Sequence, residues 1–470
     1  MATGNEYMRR ASPNEQRTIS REDLGFYNAV VVGAIYDFGE GVDPHVQETF
    51  FHPLTECIQQ NPWLCVIVGD SDTDESYYER VRHVNLVDHV EIYIDRNVKD
   101  ELVSIKQVVE ANLNITFPVA IPPWKTTVLP LSARRCFVSF AFSHAIGDGM
   151  SGPVFHRSFL SALRHMKEGA PALVETPHQT LPPPFDTPER LPVSWSFLLR
   201  PLIAALMPKL LVNLLGLQSS ASTPDKGTWT PTAIFYEPRT YRSRAQMFEV
   251  SAVHLDRVIH LSRSHGAKLS GTFNQLVTRA LSKNMPATDV TNFISITAIN
   301  MRKSIGAPET EMGEFASGSF VTHPRSTTVG PLTEDEWARA EESTRQYASS
   351  AAQLQNQPIA LLRYAPSIRK WTLSKIGQRR DCSFELSNIG NFQGGTIDEA
   401  DSGVSIVKMV FAQSGSVIGP CLFFNIASVK GSNLVCTVTW QEGALGIDGD
   451  ESNFVDRVCG TLKEELESLG

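Results

Sequence analysis

The chain has 470 residues, of which 42% are hydrophobic and 20% charged, and it carries a formal net charge of −9. That length exceeds what one compact core holds, so two domains are expected, and the composition is that of a globular chain, not a disordered one. The acidic balance excludes a general nucleic-acid binder, which needs a surplus of Lys and Arg; an anionic ligand would require a local basic patch.

Seven cysteines, at 57, 65, 136, 382, 421, 436 and 459, are odd in number and widely spread. With no Cys-x-x-Cys pair and no Cys/His cluster, neither a zinc site nor a disulfide framework is expected, and no metal is assigned. Several lie in apolar runs and read as small core residues of a reducing compartment. The opening Met1-Ala2-Thr3-Gly4-Asn5-Glu6 has no basic-then-apolar pattern of a secretory signal, so a cytoplasmic location is expected.

Residues 25–36 are apolar and β-branched and predict a buried strand. A helix over 44–60 leads into a strand at 64–69. Strands follow near 79–84 and 90–95, then a helix near 100–112 and strands at 124–131 and 135–143. From Met150, apolar residues at 154, 155, 159, 160, 163 and 166 have the spacing of an amphipathic helix ending near Gly169. Asp37-Phe38-Gly39-Glu40-Gly41 reads as a turn. The first half, 1–169, is thus mixed α and β without the regular alternation of a doubly wound fold.

Residues 170–242 form a connector marked by Pro182-Pro183-Pro184, Pro188 and Pro192. Within it, 197–217 is the most apolar stretch of the chain. Arg200, Pro201, Pro208 and Lys209 interrupt it, so it fails as a membrane-spanning helix. Two readings stay open: a crossover packed between domains, or a membrane-surface or lid segment, the membrane-surface case giving peripheral contact with an endomembrane or lipid droplet. The second half, 243–470, restarts with a strand at 246–253 and helices near 255–264 and 270–284. A strand at 292–300, helices near 333–355 and 359–376, strands at 382–389, 404–412, 420–428 and 434–441, and a helix at 451–468 follow. The fold class expected is α+β, with mixed sheets and flanking helices.

The strand ending at Ser143 delivers His144, followed by Ala145-Ile146-Gly147-Asp148-Gly149. Histidine is the side chain best suited to take and return a proton near neutral pH, and a strand end holds it rigidly. Gly147 and Gly149 are expected to permit a sharp reversal there. By itself His-x3-Asp-Gly is a weak signal, since a histidine that merely caps a strand accounts for it equally well. Gly149-Met150-Ser151-Gly152-Pro153 misses the nucleophile elbow of serine hydrolases at its last position. His156 reads as a core or surface residue.

The run His144–Gly149 resembles the HxxxDG signature of the CoA-dependent acyltransferase superfamily, which includes chloramphenicol acetyltransferase, the plant BAHD enzymes and peptide-synthetase condensation domains. Leu24 to Val32 and Asn61-Pro62-Trp63-Leu64 are most similar to the fungal alcohol acetyltransferase family. Asn300-Met301-Arg302 and Ser387-Asn388-Ile389-Gly390 match its later landmarks in order. The plant enzymes' DFGWG motif has no counterpart in the second half. The resemblance implies two chloramphenicol-acetyltransferase-like domains with a channel between them and His144 midway. It implies that acyl-CoA, as co-substrate and with no bound cofactor, gives an acyl group, acetyl above all, to the hydroxyl of an apolar alcohol or secondary metabolite. Asp148 then organises the loop through a salt bridge with Arg302, and Asn388 is the candidate oxyanion donor. Transfer from a carrier-protein thioester, transfer onto an amine, and a catalytically silent binding relative stay open as alternatives. A monomer is expected.

Between Arg363 and Arg380 stand six basic residues and no acidic one. Lys375, Arg379 and Arg380 of this island are candidates for the phosphates of CoA. A solvated helix face and an anionic membrane surface are the competing readings.

Overall fold

The computed structural model describes residues 4–38, 42–94, 100–167, 169–199, 224–285, 289–394 and 403–469. Two large sheets carry the architecture. One has the order β14 (Ser405–Gln413), β2 (Val30–Asp37), β8 (Arg135–Phe142), β7 (Trp124–Ser132), β6 (Val90–Ile92). The other runs β10 (Ser243–Val250), β16 (Leu434–Gln441), β15 (Leu422–Val429), β13 (Phe384–Phe392), β11 (Asn292–Asn300), β12 (Ala316–Pro324). Small sheets join β1 (Glu6–Arg10), β4 (Tyr77–Arg80) and β3 (Val66–Gly69), and β5 (His83–Asn85) with β9 (Leu173–Glu175). Pairing is mixed: β11 with β13 and β13 with β15 are parallel, whereas β15 with β16 is antiparallel. The α+β class expected from the sequence is the one observed.

The reading of 25–36 as a buried strand has a physical basis in β2, where every residue but Asp37 is buried. Such a strand is covered on both faces and shows no polar alternation. One face packs Val32 and Tyr36 with Phe140, Phe155 and Phe159, beneath helices α2 (Phe51–Gln60) and α4 (Ser151–Arg164). On the other, Val31 and Ile35 meet Ile105 and Val109 of a helix at Glu101–Leu113, together with Met247 and Val435 from the second sheet. A separate core under the helices Leu269–Asn284 and Glu451–Ser468 contains Phe273, Val277, Phe424 and Val458.

The boundary drawn at residue 243 does not separate the sheets. Strand β14 lies far into the second half, yet it pairs antiparallel with β2, from Ser405 opposite Asp37 to Gln413 opposite Val30. It brings Met409 and Phe411 into the core of the first half. Burying one such phenylalanine contributes about 1.5–3 kcal/mol.

Helix α1 (Pro13–Asp23) lies outside the elements expected from periodicity. A capping box starts it: the Glu15 amide donates to Ser12 Oγ at 3.3 Å, and the Ser12 amide donates to Glu15 Oε2 at 2.7 Å. Strands β1 and β12 were also unexpected. The helix expected over 359–376 is instead a 3₁₀ turn, Pro358–Tyr364, and a short helix, Ile368–Leu373. Pro366 separates them, because a proline disfavours helical backbone at the residue before it. Most of the apolar segment, 200–217, falls outside the described residues, as do residues 39–41 of the turn at Asp37. No helix among the described residues is long and apolar enough to cross a membrane. All seven cysteines are buried thiols.

Because β14 closes the edge of the first sheet, a fragment ending at residue 169 would expose an unpaired β2 edge and leave Phe140 and Phe155 under-covered. Expressed alone, residues 1–169 are expected to show no cooperative thermal transition by circular dichroism. A sharp melt would contradict this dependence on β14.

Candidate active site

Strand β8 ends at Phe142, and the chain turns at once. The Ser143 amide donates to Pro123 O at 2.9 Å, Ser143 Oγ accepts from the Ala145 amide at 3.0 Å, and Tyr78 Oη donates to Ala145 O at 2.8 Å. These bonds fix His144 at the strand end. Neither Gly147 nor Gly149 adopts a left-handed backbone; the reversal does not require them for that reason. They are needed for space. A Cβ at Gly147 would lie 2.5 Å from Ser151 Oγ, and one at Gly149 would lie 2.9 Å from the Phe411 ring and 3.2 Å from Ile389.

Asp148 is 3% exposed and Arg302 is fully buried. The guanidinium grips the carboxylate with two bonds, Nη1 to Oδ2 at 2.8 Å and Nη2 to Oδ1 at 2.9 Å. Asp148 also accepts from the amides of Met150 (3.1 Å), Ser151 (3.2 Å) and Phe315 (3.0 Å). Arg302 donates further to Glu311 O at 3.1 Å and Gly313 O at 3.2 Å, and its guanidinium stacks 4.6 Å from the Phe315 ring centre. The Asp148 amide donates to Gly313 O at 3.1 Å. The pair therefore clamps Gly313 and Phe315, the two neighbours of Glu314.

Glu314 is the residue that sequence reasoning missed. Its Oε2 lies 2.7 Å from His144 Nδ1, with 1% of the Glu314 side chain and 18% of the His144 side chain exposed. The contact is short but bent from the ring N–H direction, since neither Nδ1 nor the carboxylate has an aligned hydrogen-bond partner. Burial pulls the His144 pKa down, but the Glu314 charge and contact outweigh burial and the nearby Arg17 and Arg21, so the net shift is upward. A proton on Nδ1 facing Glu314 leaves Nε2 as the accepting nitrogen. Tyr27 packs edge-on against the imidazole, with ring centres 5.5 Å apart, and its hydroxyl donates to Gln413 Oε1 at 3.2 Å. Gln413 in turn donates to Glu385, Ser387 and Asn425.

A cavity of ≈ 350 Å³ reaches His144. Both halves wall it, through Arg17, Arg21 and Tyr27 on one side and Ile296, Phe320, Trp371 and Glu385 on the other. A second cavity of ≈ 320 Å³ abuts Ser143 and Ala145 and is mostly apolar, with Val68, Ile115 and Phe117. Glu22 stands in it, accepting a hydrogen bond from Ser143 Oγ. Burial pushes the Glu22 carboxyl up to about 7.

Asn388 lines the first cavity, but its amide nitrogen donates to Ser270 Oγ at 3.2 Å and its oxygen accepts from the Gly390 amide at 2.8 Å. The basic island is dispersed. Arg380 is buried and donates to the carbonyls of Val417 (3.1 Å) and Gly419 (3.0 Å), so it does not face solvent phosphate. Arg363 holds carbonyls of the connector, and Arg369 pairs with Asp23 at 2.6 Å. Lys375 and Arg379 stay near the surface: Lys375 Nζ sits 5.0 Å from the Trp371 ring centre, and Arg379 binds Thr230 Oγ1 at 2.6 Å. His156 is a core residue, bonded to Tyr36 Oη and Val32 O at 2.8 and 3.0 Å, and burial lowers its pKa to about 4.

The buried clamp sets a stability expectation. Asp148→Asn leaves the Arg302 charge buried without its counterion, at a cost of about 3–5 kcal/mol. The thermal unfolding midpoint is expected to fall by several degrees, and melting at the wild-type temperature would show that the pair contributes nothing.

The chain is 21% identical over 476 aligned positions to a probable alcohol acetyltransferase, crmB, of Aspergillus fumigatus, covering 94% of this chain and 96% of the relative. In fold it is similar to the TRI3 trichothecene 15-O-acetyltransferase of Fusarium sporotrichioides, with a TM-score of 0.67 at 12% identity over 98% of this chain and 94% of that one. It is also similar to the first condensation domain of the calcium-dependent antibiotic synthetase, with a TM-score of 0.65 at 10% identity over 99% and 97%. Residues 78–466 match the family described as alcohol acetyltransferase. The chain belongs to that family, and it is an acyltransferase.

Proposed function

We propose that the protein transfers an acetyl group from acetyl-CoA to the hydroxyl of a largely apolar alcohol, with His144 as general base. The observation that carries this reading is the contact between His144 Nδ1 and the buried Glu314, at the wall of a cavity shared by both halves. Nε2 takes the proton of the acceptor hydroxyl as its oxygen attacks the thioester carbonyl carbon. When the tetrahedral intermediate collapses, the C–S bond breaks, the ester forms, and the imidazolium returns the proton to the CoA thiolate. The thiolate is a good leaving group, so no acyl-enzyme is required. Glu314 holds the ring in the productive tautomer and stabilises the imidazolium. Asp148, Arg302 and Gly149 act through the shape of the loop. Lys375, beside Trp371 of the cavity wall, and Arg379, near the surface, are the residues of the basic island left to support phosphate binding. Isoleucine and phenylalanine side chains along the cavity favour an apolar acceptor.

Thiol release from acetyl-CoA with a panel of alcohols tests the base. His144→Ala is expected to lower kcat by roughly 10²–10⁴; equal release by both proteins would remove His144 from the chemistry. The role of Glu314 is read from the pH profile. The neutral imidazole is the active form, and its pKa is raised, so kcat/KM should fall as pH drops through a value above the ordinary 6.5. In Glu314→Gln, burial and the two arginines act unopposed. The acid limb should then move to lower pH while the plateau drops, and an unmoved limb would separate Glu314 from the base.

A further inference from the structure

Two guanidiniums share the wall of the His144 cavity without any carboxylate of their own. Arg17 and Arg21 stand one turn apart on α1, so both project from one face of it. Among the described residues neither has a carboxylate within ion-pair distance. Arg17 spends its Nε on Asn14 Oδ1 at 3.2 Å. Arg21 donates through Nη2 to Ser416 Oγ and to Ile418 O, stacks 5.1 Å from the Tyr27 ring centre, and leaves a buried Nε with no partner. Burial, with the like charge of Arg17, pulls the Arg21 pKa down to about 10, which still leaves it charged at neutral pH.

The other charges of the cavity answer this pair only in part, since Glu385 attracts Arg21. Glu314 is engaged by His144, and Asp148 is saturated by Arg302. Glu385 accepts from Gln413 at 3.1 Å and Ser387 at 2.8 Å and stands alone against two cations. Like charges held side by side on a half-buried cavity wall repel, and a ligand's counter-charge relieves them.

We infer that Arg17 and Arg21 form an anion subsite for the acceptor, whose chemical class is therefore a hydroxy acid: an apolar body with a hydroxyl for His144 and a carboxylate for the guanidiniums. This rests on the acyl-transfer reading above. The position of the pair separates acceptor from donor. The Tyr27 ring neighbours both, 5.1 Å from the Arg21 guanidinium and 5.5 Å from the His144 ring. A CoA molecule with its thioester at His144 carries its phosphates a full pantetheine arm away, beyond those two steps. A carboxylate a few carbons from the attacking hydroxyl spans them.

The test is initial-rate kinetics with acetyl-CoA and a series of ω-hydroxy acids from butanoate to octanoate, each beside its methyl ester. For wild type, kcat/KM for the best acid should exceed that of its ester by about tenfold or more, the worth of one charge-assisted bond. In Arg21→Gln and Arg17→Gln that ratio should collapse toward one. Sodium octanoate, which has no hydroxyl, should bind wild type by calorimetry and compete with the hydroxy acid, and should bind both variants at least tenfold more weakly. Equal use of acid and ester by wild type would overturn the inference, as would variants that raise KM for acetyl-CoA instead. Arg21→Gln also loses bonds to Ser416 and Ile418, so Arg17→Gln decides if the first variant melts early. If no alcohol, acid or ester releases thiol, the acyl-transfer reading fails, and octanoate binding still decides whether the anion subsite exists.

Discussion

The bidentate bond between Asp148 and Arg302 is the interaction on which the rest of the site depends. Both side chains are out of water, and such a pair gains little stability over a well-packed apolar substitute. Its effect is geometric. The Asp148 carboxylate collects the guanidinium and the amides of Met150, Ser151 and Phe315, and Arg302 reaches the carbonyls of Glu311 and Gly313. Apart from the guanidinium itself, every group in that list belongs to the turn after His144 or to the loop around Glu314. The aspartate of the motif thus stays away from the imidazole and still governs it, because it sets the position of the carboxylate that touches Nδ1.

A second constraint comes from the strand exchanged between halves. A channel at the seam of two domains is useful only if its walls hold register, since a displacement of about 1 Å in catalytic geometry lowers rates strongly. Strand β14 supplies that register by pairing along the length of β2. Phe411 then rests where a side chain at position 149 would stand, and Gln413 ties Tyr27 to Glu385 and Ser387. Gly149 is small because another element occupies its space. That is a reason of packing, and a reading of the turn in isolation assigns the residue to backbone freedom instead.

The same contrast separates what was legible in the sequence from what was not. Continuous apolar runs, such as those behind β2, β8 and β16, and the amphipathic helix Glu451–Ser468 report their own structure, because burial selects their residues locally. His144, Asp148 and Arg302 were legible as landmarks in order. Glu314 was not: it sits in an irregular loop with no period, and only the clamp brings it to His144. Helix α1 had its signal in Ser12-Pro13-Asn14-Glu15, a capping box, but few apolar residues follow to confirm it. With it went Arg17, Arg21 and Glu22, all of which face cavities beside the motif. The basic island shows the opposite error. Charge counted along the chain suggested one face, whereas Pro366 breaks the helix and Arg380 turns inward to cap carbonyls.

The charges around His144 are balanced against one another in a way that bears on when the base is strong. Burial and the two α1 guanidiniums disfavour the imidazolium, and Glu314 favours it. A base must be neutral before reaction and must hold a proton during it, so a fixed environment is a compromise between the two. An anionic acceptor on Arg17 and Arg21 relaxes that compromise. Its carboxylate cancels the repulsion between guanidiniums and imidazolium, so seating the substrate strengthens the base at the moment its hydroxyl arrives. Glu385 attracts Arg21 but is one charge against two guanidiniums. In the proposed scheme the two arginines, which have no carboxylate at ion-pair distance among the described residues, serve rate as well as recognition, through the same electrostatic field.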